Sequence, residues 1–261
     1  MCAKYAKKNK MPLGIIALVI ILAVVCGAVY LMLQEPADAP EVPTPSSTAA
    51  SDAAATDMPA ETGDAPARLD ELDEVSIALD FGMCITDVGK YTGIYMEDGS
   101  DEIVSGIMMI AVTNKGENDI QYAEIAMPVG GQTAHFSLTT LPVDATVILL
   151  EKDRMEYVPG DYTTAEVSSV ALFQYPLTLC EDRLRIQILD GAINVTNISG
   201  ADITGDIVIY YKNSAADVYY GGITYRVRLE GGLKAGEIRQ IMASHFSAAG
   251  SSIMFVTCGD N

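Results

Sequence analysis

Few residues in this chain have the type and spacing for chemistry. There are two histidines, His135 and His245, and five cysteines, Cys2, Cys26, Cys84, Cys180 and Cys258. Structural zinc needs four ligands and catalytic zinc usually three from the protein. Two distant histidines and scattered cysteines supply no such spacing, so neither a metal nor a cofactor is expected, and each histidine reads as solvated or in a loop. Asp98-Gly99-Ser100-Asp101-Glu102 gathers carboxylates that could hold calcium, but it lacks the alternating ligands of an EF-hand loop and reads as an acidic turn. Gly231 to Gly236 has the spacing of a phosphate loop, yet Glu237 stands where a lysine would meet the phosphates. That segment reads as a hairpin turn. No Gly-x-Ser-x-Gly elbow is present. The 35 acidic residues guarantee some close carboxylate pairs, which keeps a cell-wall-active enzyme as a third reading. The expected reading has no catalytic residue.

Binding chemistry is better represented. Lys and Arg total 16 against 35 Asp and Glu, and Lys4, Lys7, Lys8 and Lys10 all precede the first acid, Glu35. Nucleic-acid surfaces need clustered cations, so that partner is excluded. Tryptophan is absent but there are 13 tyrosines, which can serve as aromatic platforms. Ile207, Ile209 and Tyr211 share one face of a strand, which puts Tyr210 on the other. Pairing Tyr211 with Tyr219 across a tip at Asn213-Ser214-Ala215-Ala216-Asp217 sets Tyr210 against Tyr220. Those two tyrosines, with Arg226 and Arg228 further along, form an outward aromatic–cationic strip. Tyr and Arg are enriched at interaction hot spots, so Tyr210, Tyr220, Arg226 and Arg228 are the candidate binding residues. The plainer alternative is that the outer tyrosines cover a neighbouring loop.

Those residues are expected to be held outside a membrane. Met11 to Leu33 is a 23-residue run without a charge. As a helix rising about 1.5 Å per residue it spans the roughly 30 Å hydrocarbon core. It exceeds the apolar region of a cleaved signal, about 7–15 residues. An uncleaved signal anchor is therefore expected at 11–33, after a basic cytoplasmic tail at 1–10. With lysines only before the span, the positive-inside rule exports everything that follows. Residues 34–69 read as a disordered linker, since Gln34 to Ala67 hold six prolines, seven acids and no basic or aromatic residue. The ten preceding residues are too few for a signalling domain, so a sensing role would need a partner. Outside the membrane Cys84, Cys180 and Cys258 allow one bridge, Cys180–Cys258, or three buried thiols.

The exported part reads as strands. Leu184, Ile186 and Ile188 alternate with Arg183, Arg185 and Gln187, and Tyr225, Val227 and Leu229 alternate with Arg226, Arg228 and Glu230. Period two with charge on one face marks half-buried antiparallel strands. Further β-rich runs are 75–81, 103–112, 120–127, 134–140, 145–151, 167–173, 203–211 and 253–257, separated by turn residues. Gly130-Gly131 reads as a two-residue hairpin turn that sets Ala126 opposite His135 and turns His135 outward. Val112-Thr113-Asn114 followed by Asp119-Ile120 matches Val195-Thr196-Asn197 followed by Asp202-Ile203, which suggests an internal repeat. In each copy the Asn and Asp are expected to cap turn backbone rather than to do chemistry. Many short strands at this spacing predict two antiparallel β-sandwiches, 70–174 and 175–261.

The segments LTTLPVDATVILLEKDR (138–154), ITGDIVIYYKN (203–213) and YYGGITYRVRLEGGLKAGEIRQIMASHF (219–246) resemble bacterial membrane-anchored ectodomain proteins. Those proteins carry tandem immunoglobulin-like domains similar to the FxLYD-type families, whose function is unassigned. The FxLYD signature itself is not intact. The resemblance implies an all-β ectodomain behind one transmembrane helix, and it implies no chemistry. The expected function is a membrane-tethered interaction or structural module without catalytic activity. A ligand-binding or sensing subunit for a glycan or peptide is the alternative, so a protein or cell-surface glycan is the expected partner besides the membrane. Protease added to intact cells should release a fragment beginning in 35–70. Protection of 69–261 while an external control is cut would reverse the orientation.

Overall fold

In a computed structural model, residues 68–259 are described. The expected basic tail, membrane span and nearly all of the linker lie outside them. Among the described residues no helix is long and apolar enough to cross a membrane. The described chain is all-β, apart from one short 3-10 turn at Asp80–Gly82.

Thirteen strands follow in order: β1 (Arg68–Ala78), β2 (Met83–Ile94), β3 (Ile103–Asn114), β4 (Ile120–Val129), β5 (Gln132–Leu141), β6 (Thr146–Leu150) and β7 (Glu166–Leu172), then β8 (Leu184–Leu189), β9 (Ala192–Asn197), β10 (Ile207–Ala215), β11 (Val218–Leu229), β12 (Ile238–Met242) and β13 (Ser251–Cys258). They form a seven-stranded sheet in the order β1-β2-β3-β6-β11-β10-β13 and two three-stranded sheets, β5-β4-β7 and β12-β9-β8. Every pairing is antiparallel except β6 with β11.

Alternation explains how the layers close. Met83, Ile85 and Val88 of β2 and Met108, Ile110 and Val112 of β3 face Ile125 and Met127 of β4 and Phe136 and Leu138 of β5, all buried in one core. Leu184 of β8 and Ile193 and Val195 of β9 face Ile207, Ile209 and Tyr211 of β10 in a second core. Strand β3 is apolar on both faces, because Ile107, Met109 and Ala111 belong to a third cluster that also takes in Tyr91, Tyr95 and Ile148. A strand covered on both sides needs no polar alternation.

The two halves repeat the same scheme. In the first, β2-β3-β6 packs on β5-β4-β7; in the second, β8-β9-β12 packs on β11-β10-β13. Their turns carry matching hydrogen bonds. Asn114 Nδ2 donates to the carbonyls of Asn118 (2.9 Å) and Leu141 (3.1 Å), and its Oδ1 accepts from Gly116 N (2.9 Å). Asn197 Nδ2 donates to Ala201 (2.7 Å) and Leu233 (3.0 Å), and its Oδ1 accepts from Ser199 N (3.0 Å). Asp119 accepts from Val143 N (2.9 Å) and Asp202 from Ala235 N (2.8 Å). Both asparagines are buried, and the capping role read from their types is the one they have.

Three readings need correction. The β10–β11 hairpin pairs Tyr211 with Tyr225, not with Tyr219, and its tip is Ala216-Asp217, both at positive φ. The cause is a bulge at residues 221–224, which an uninterrupted alternation cannot register. Strand β2 was not anticipated, since Asp87, Gly89 and Gly93 dilute its alternation and a bulge shifts its pairing with β3 between Ile85 and Asp87. Of the two alternatives for the cysteines the unbridged one holds, but Cys180 and Cys258 are half-buried rather than buried thiols, and the Cys180 Sγ donates to the Val256 carbonyl at 3.5 Å. The Gly130-Gly131 hairpin pairs Val129 with Gln132 and Ala126 with His135, as expected, and His135 is exposed.

Truncating either buried asparagine would remove two hydrogen bonds to carbonyls and one from a backbone N–H. Asn114→Ala and Asn197→Ala should each lower stability by about 2 kcal/mol or more, measured by urea unfolding. Asp202→Ala, on an exposed side chain, should cost about 1 kcal/mol or less. Equal losses at all three sites would contradict the burial argument.

Candidate functional site

The densest polar chemistry lies at the seam between the two repeats. Strand β11 reaches it with its first residues. Val218, Tyr219 and Tyr220 pair in parallel with Thr146, Val147 and Ile148 of β6. Beyond Tyr220 the chain bulges: pairing with β10 runs from Ile207↔Leu229 to Tyr211↔Tyr225, then resumes at Asn213↔Tyr220. Lys212 therefore faces the four residues 221–224. Gly221 takes φ +82°, a conformation that favours glycine, and the bulge presents its carbonyls inward. The Lys212 Nζ donates to Gly221 (3.0 Å), Gly222 (3.0 Å) and Ile223 (2.8 Å) and is fully buried.

Glu97, in the loop after β2, comes from the other side. One carboxylate oxygen accepts from Leu150 N (2.8 Å) and the other from Gly222 N (2.6 Å). By the parallel register, Gly222 and Leu150 stand two positions on from Tyr220 and Ile148, so the carboxylate sits where the ladder would otherwise continue. A Cβ at Gly222 would fall 1.9 Å from the Ser137 carbonyl oxygen of β5, so only glycine fits. Thr139 Oγ1 donates to the Gly222 carbonyl (2.9 Å), and Thr224 Oγ1 donates to the Thr139 carbonyl (3.0 Å). Nearby, His245 pairs with Asp101 at 3.1 Å and stacks on Tyr225. Arg154 ties Asp98 to Glu102 and lies 4.5 Å over the Tyr95 ring. Arginine thus pairs with two of the three carboxylates of the acidic turn, and His245 with the third.

Burial pushes the Glu97 pKa well above the ordinary carboxylate value, against the pull of its backbone donors and of Lys212. Burial also draws Lys212 well below an ordinary lysine, opposed by Glu97. Each ammonium proton has a carbonyl to meet, and each carboxylate oxygen has an N–H. Both groups are committed to backbone, a holding arrangement rather than an acid, base or nucleophile aimed at a substrate.

The expected binding strip is split by the true register. Tyr210 lies opposite Arg226 on β11 and opposite Phe255 on β13, whose ring stacks on it at 4.1 Å and 9°. Phe173, after β7, meets Phe255 edge-on at 5.4 Å. Arg226 is exposed, so an outward row Arg226–Tyr210–Phe255–Phe173 crosses the sheet. Tyr220 is not in it; the bulge turns it onto the third cluster, against Val218 and the tyrosine of β2, Tyr91. Arg228 lies one row on, and its guanidinium binds Asp206, with Nε at 2.7 Å. Asp206 also accepts from Gly231 N, which with Arg228 holds its carboxyl below the usual range. Lys212 and Glu97 escaped sequence reading. The only signal was Gly221-Gly222 inside a β-rich run, a mark of a bulge or close backbone approach.

Removing one partner of the seam should expose the other in the pH dependence of stability. In Lys212→Met, Glu97 keeps a raised pKa: the folded state holds a proton that the unfolded chain releases above pH 4.5. Stability is then full below 4.5 and falls as pH rises toward the folded value, at up to about 1.4 kcal/mol per unit. In Glu97→Gln, Lys212 keeps a lowered pKa: below pH 10.5 the unfolded chain takes a proton that the folded state refuses. Stability is then full above 10.5 and falls as pH drops toward the folded value. Urea unfolding between pH 5 and 10 should give slopes of opposite sign, and slopes of the same sign would contradict the assignment. No family model, curated protein or solved structure matches this chain.

Proposed function

We propose that this chain is a membrane-tethered, extracytoplasmic interaction or structural module without catalytic activity. In this reading residues 11–33 anchor it, and two tandem immunoglobulin-like sandwiches, 70–174 and 175–261, form a rigid head outside the cell. The observation that supports it is the seam: Lys212 holds the bulge of β11 in shape, and Glu97 ties Gly222 of that bulge to Leu150 of β6, which fixes one repeat against the other. A head of that kind holds a surface in a constant orientation.

The stacked Tyr210–Phe255 pair beside exposed Arg226 favours a second reading, a ligand-binding subunit for a glycan or peptide acting with a partner. Flat aromatic faces and an adjacent cation suit either ligand. Recovery of the full chain from solubilised membranes, followed by identification of what co-purifies, separates the two. A stoichiometric partner lost in Tyr210→Ala/Arg226→Ala, with unchanged unfolding, supports the second reading and places the contact on this row. Truncation of a hot-spot residue should weaken binding by about 2 kcal/mol or more. Retention of the partner by this variant removes the row from the interface.

A further inference from the structure

The two repeats differ at one edge, and the difference shows what the second can accept. Matching the Asn114 and Asn197 turns makes Met83, Ile85 and Val88 of β2 equivalent to Leu184, Ile186 and Ile188 of β8, since each set faces the same positions of β3 and β9. In the first repeat β1 pairs antiparallel along β2, with Ile77 opposite Ile85. Ile77 is buried and Val75 and Leu79 pack beside it, and Val88 is 0% exposed.

In the second repeat nothing takes that place among the described residues, and β8 ends its sheet. The chain entering β8 instead turns away to the opposite layer, where Val256 N donates to the Thr178 carbonyl at 2.8 Å. Ile188, the counterpart of Val88, is consequently 38% exposed. A cleft of about 330 Å³ lies open between β8 and β13, lined by apolar side chains from Leu179, Leu184, Ile186, Ile188 and Ile253, with Glu181 and Ser252 also on its wall. The repeat has the core face that its twin closes with a strand, and among the described residues it lacks the strand.

We propose that the outer edge of β8 accepts an extended segment of a partner protein, added antiparallel as a further strand. The occupant's chemistry follows from β1, which does this work in the first repeat: apolar residues at alternate positions, as at Val75 and Ile77, in an acidic context, as at Asp70, Glu71, Asp73 and Glu74. Exposed Arg185 of β8 suits such a segment. Main-chain bonds to the unpaired edge supply affinity, and the cleft selects the apolar residues. This surface is separate from the Tyr210 row, and the proposal stands without the functional reading above.

A synthetic peptide copying residues 68–80 is the probe, added to the full chain in detergent micelles. Saturable binding is expected, with hydrogen-exchange protection appearing in residues 184–189. Ile188→Asp in the chain, or Asp at the Ile77 position of the peptide, should weaken binding about tenfold or more. A scrambled peptide of the same charge should not bind. No saturation below about 1 mM, a weak limit for a specific contact, overturns the proposal. Protection confined to β2 overturns it too, since the peptide would then only be exchanging with β1. A concentration-dependent dimer of the chain that already protects β8, and that the peptide dissolves, would give the edge to a second copy and overturn the choice of a foreign partner.

Discussion

The Lys212 ammonium, held by three carbonyls of one bulge, is the constraint on which the rest of this molecule depends. Taking an ammonium out of water costs several kcal/mol, and only a full set of acceptors with a counter-charge offsets that. Here the acceptors are Gly221, Gly222 and Ile223, and Glu97 supplies the attraction. The bulge can exist because Gly221 tolerates positive φ and Gly222 has no side chain to strike Ser137. Once formed, it carries the end of the hairpin onto β6. The joining of β6 to β11 in one seven-stranded sheet and the position of Tyr220 against the third apolar cluster follow from that one departure from regular pairing.

The repeats have diverged at their edges while keeping their turns. The Asn–Asp hydrogen bonds recur with nearly the same lengths, because a buried amide with no alternative partner has little freedom to change. Edges are under no such constraint. The first repeat gains β1 along β2, and β11 along β6; the corresponding edges of the second, β8 and β12, end their sheet. Ile238 and Met242 on β12 are well exposed, at 64% and 75%. Among the described residues the first repeat is thus the more completely covered of the two.

Period-two alternation made most strands legible, since one apolar and one polar face leave a plain trace in composition. The Gly130-Gly131 turn was legible because two-residue hairpins demand positive φ, and its register followed. What failed has a common cause. Strand β2 and the β10–β11 register both contain bulges, and one inserted residue inverts every face prediction beyond it. Of the four binding candidates, Tyr210 and Arg226 lie before the bulge and share a face as read, but they stand directly opposite each other where Tyr220 was expected. Tyr220 lies beyond it and faces elsewhere. Arg228 points outward as expected, but Asp206 on the neighbouring strand binds it, a cross-strand contact that depends on register. Lys212 is the hardest case. It alternates with Tyr211, so it should be solvated, and with respect to its own repeat it does face outward. The other repeat covers that face, which no property of β10 can announce.

A buried ion pair is weak evidence for stability, since well-packed apolar residues often do as well or better. The seam therefore asks what charge provides there that apolar packing would not. The parallel ladder between β6 and β11 is three residues long, and the side chains beside it are apolar: Val147, Ile148, Val218, Tyr219 and Tyr220. A two-residue slip would keep every face and lose little packing. Glu97 makes that slip costly, because its carboxylate fits between Leu150 N and Gly222 N in one register only. Lys212 fixes the same glycine from the side of β10. A slipped seam would leave an ammonium and a carboxylate buried with their donors and acceptors misplaced. The charges then act as a register device, and the alignment of the two repeats follows from the penalty on every alternative register rather than from the strength of the one observed.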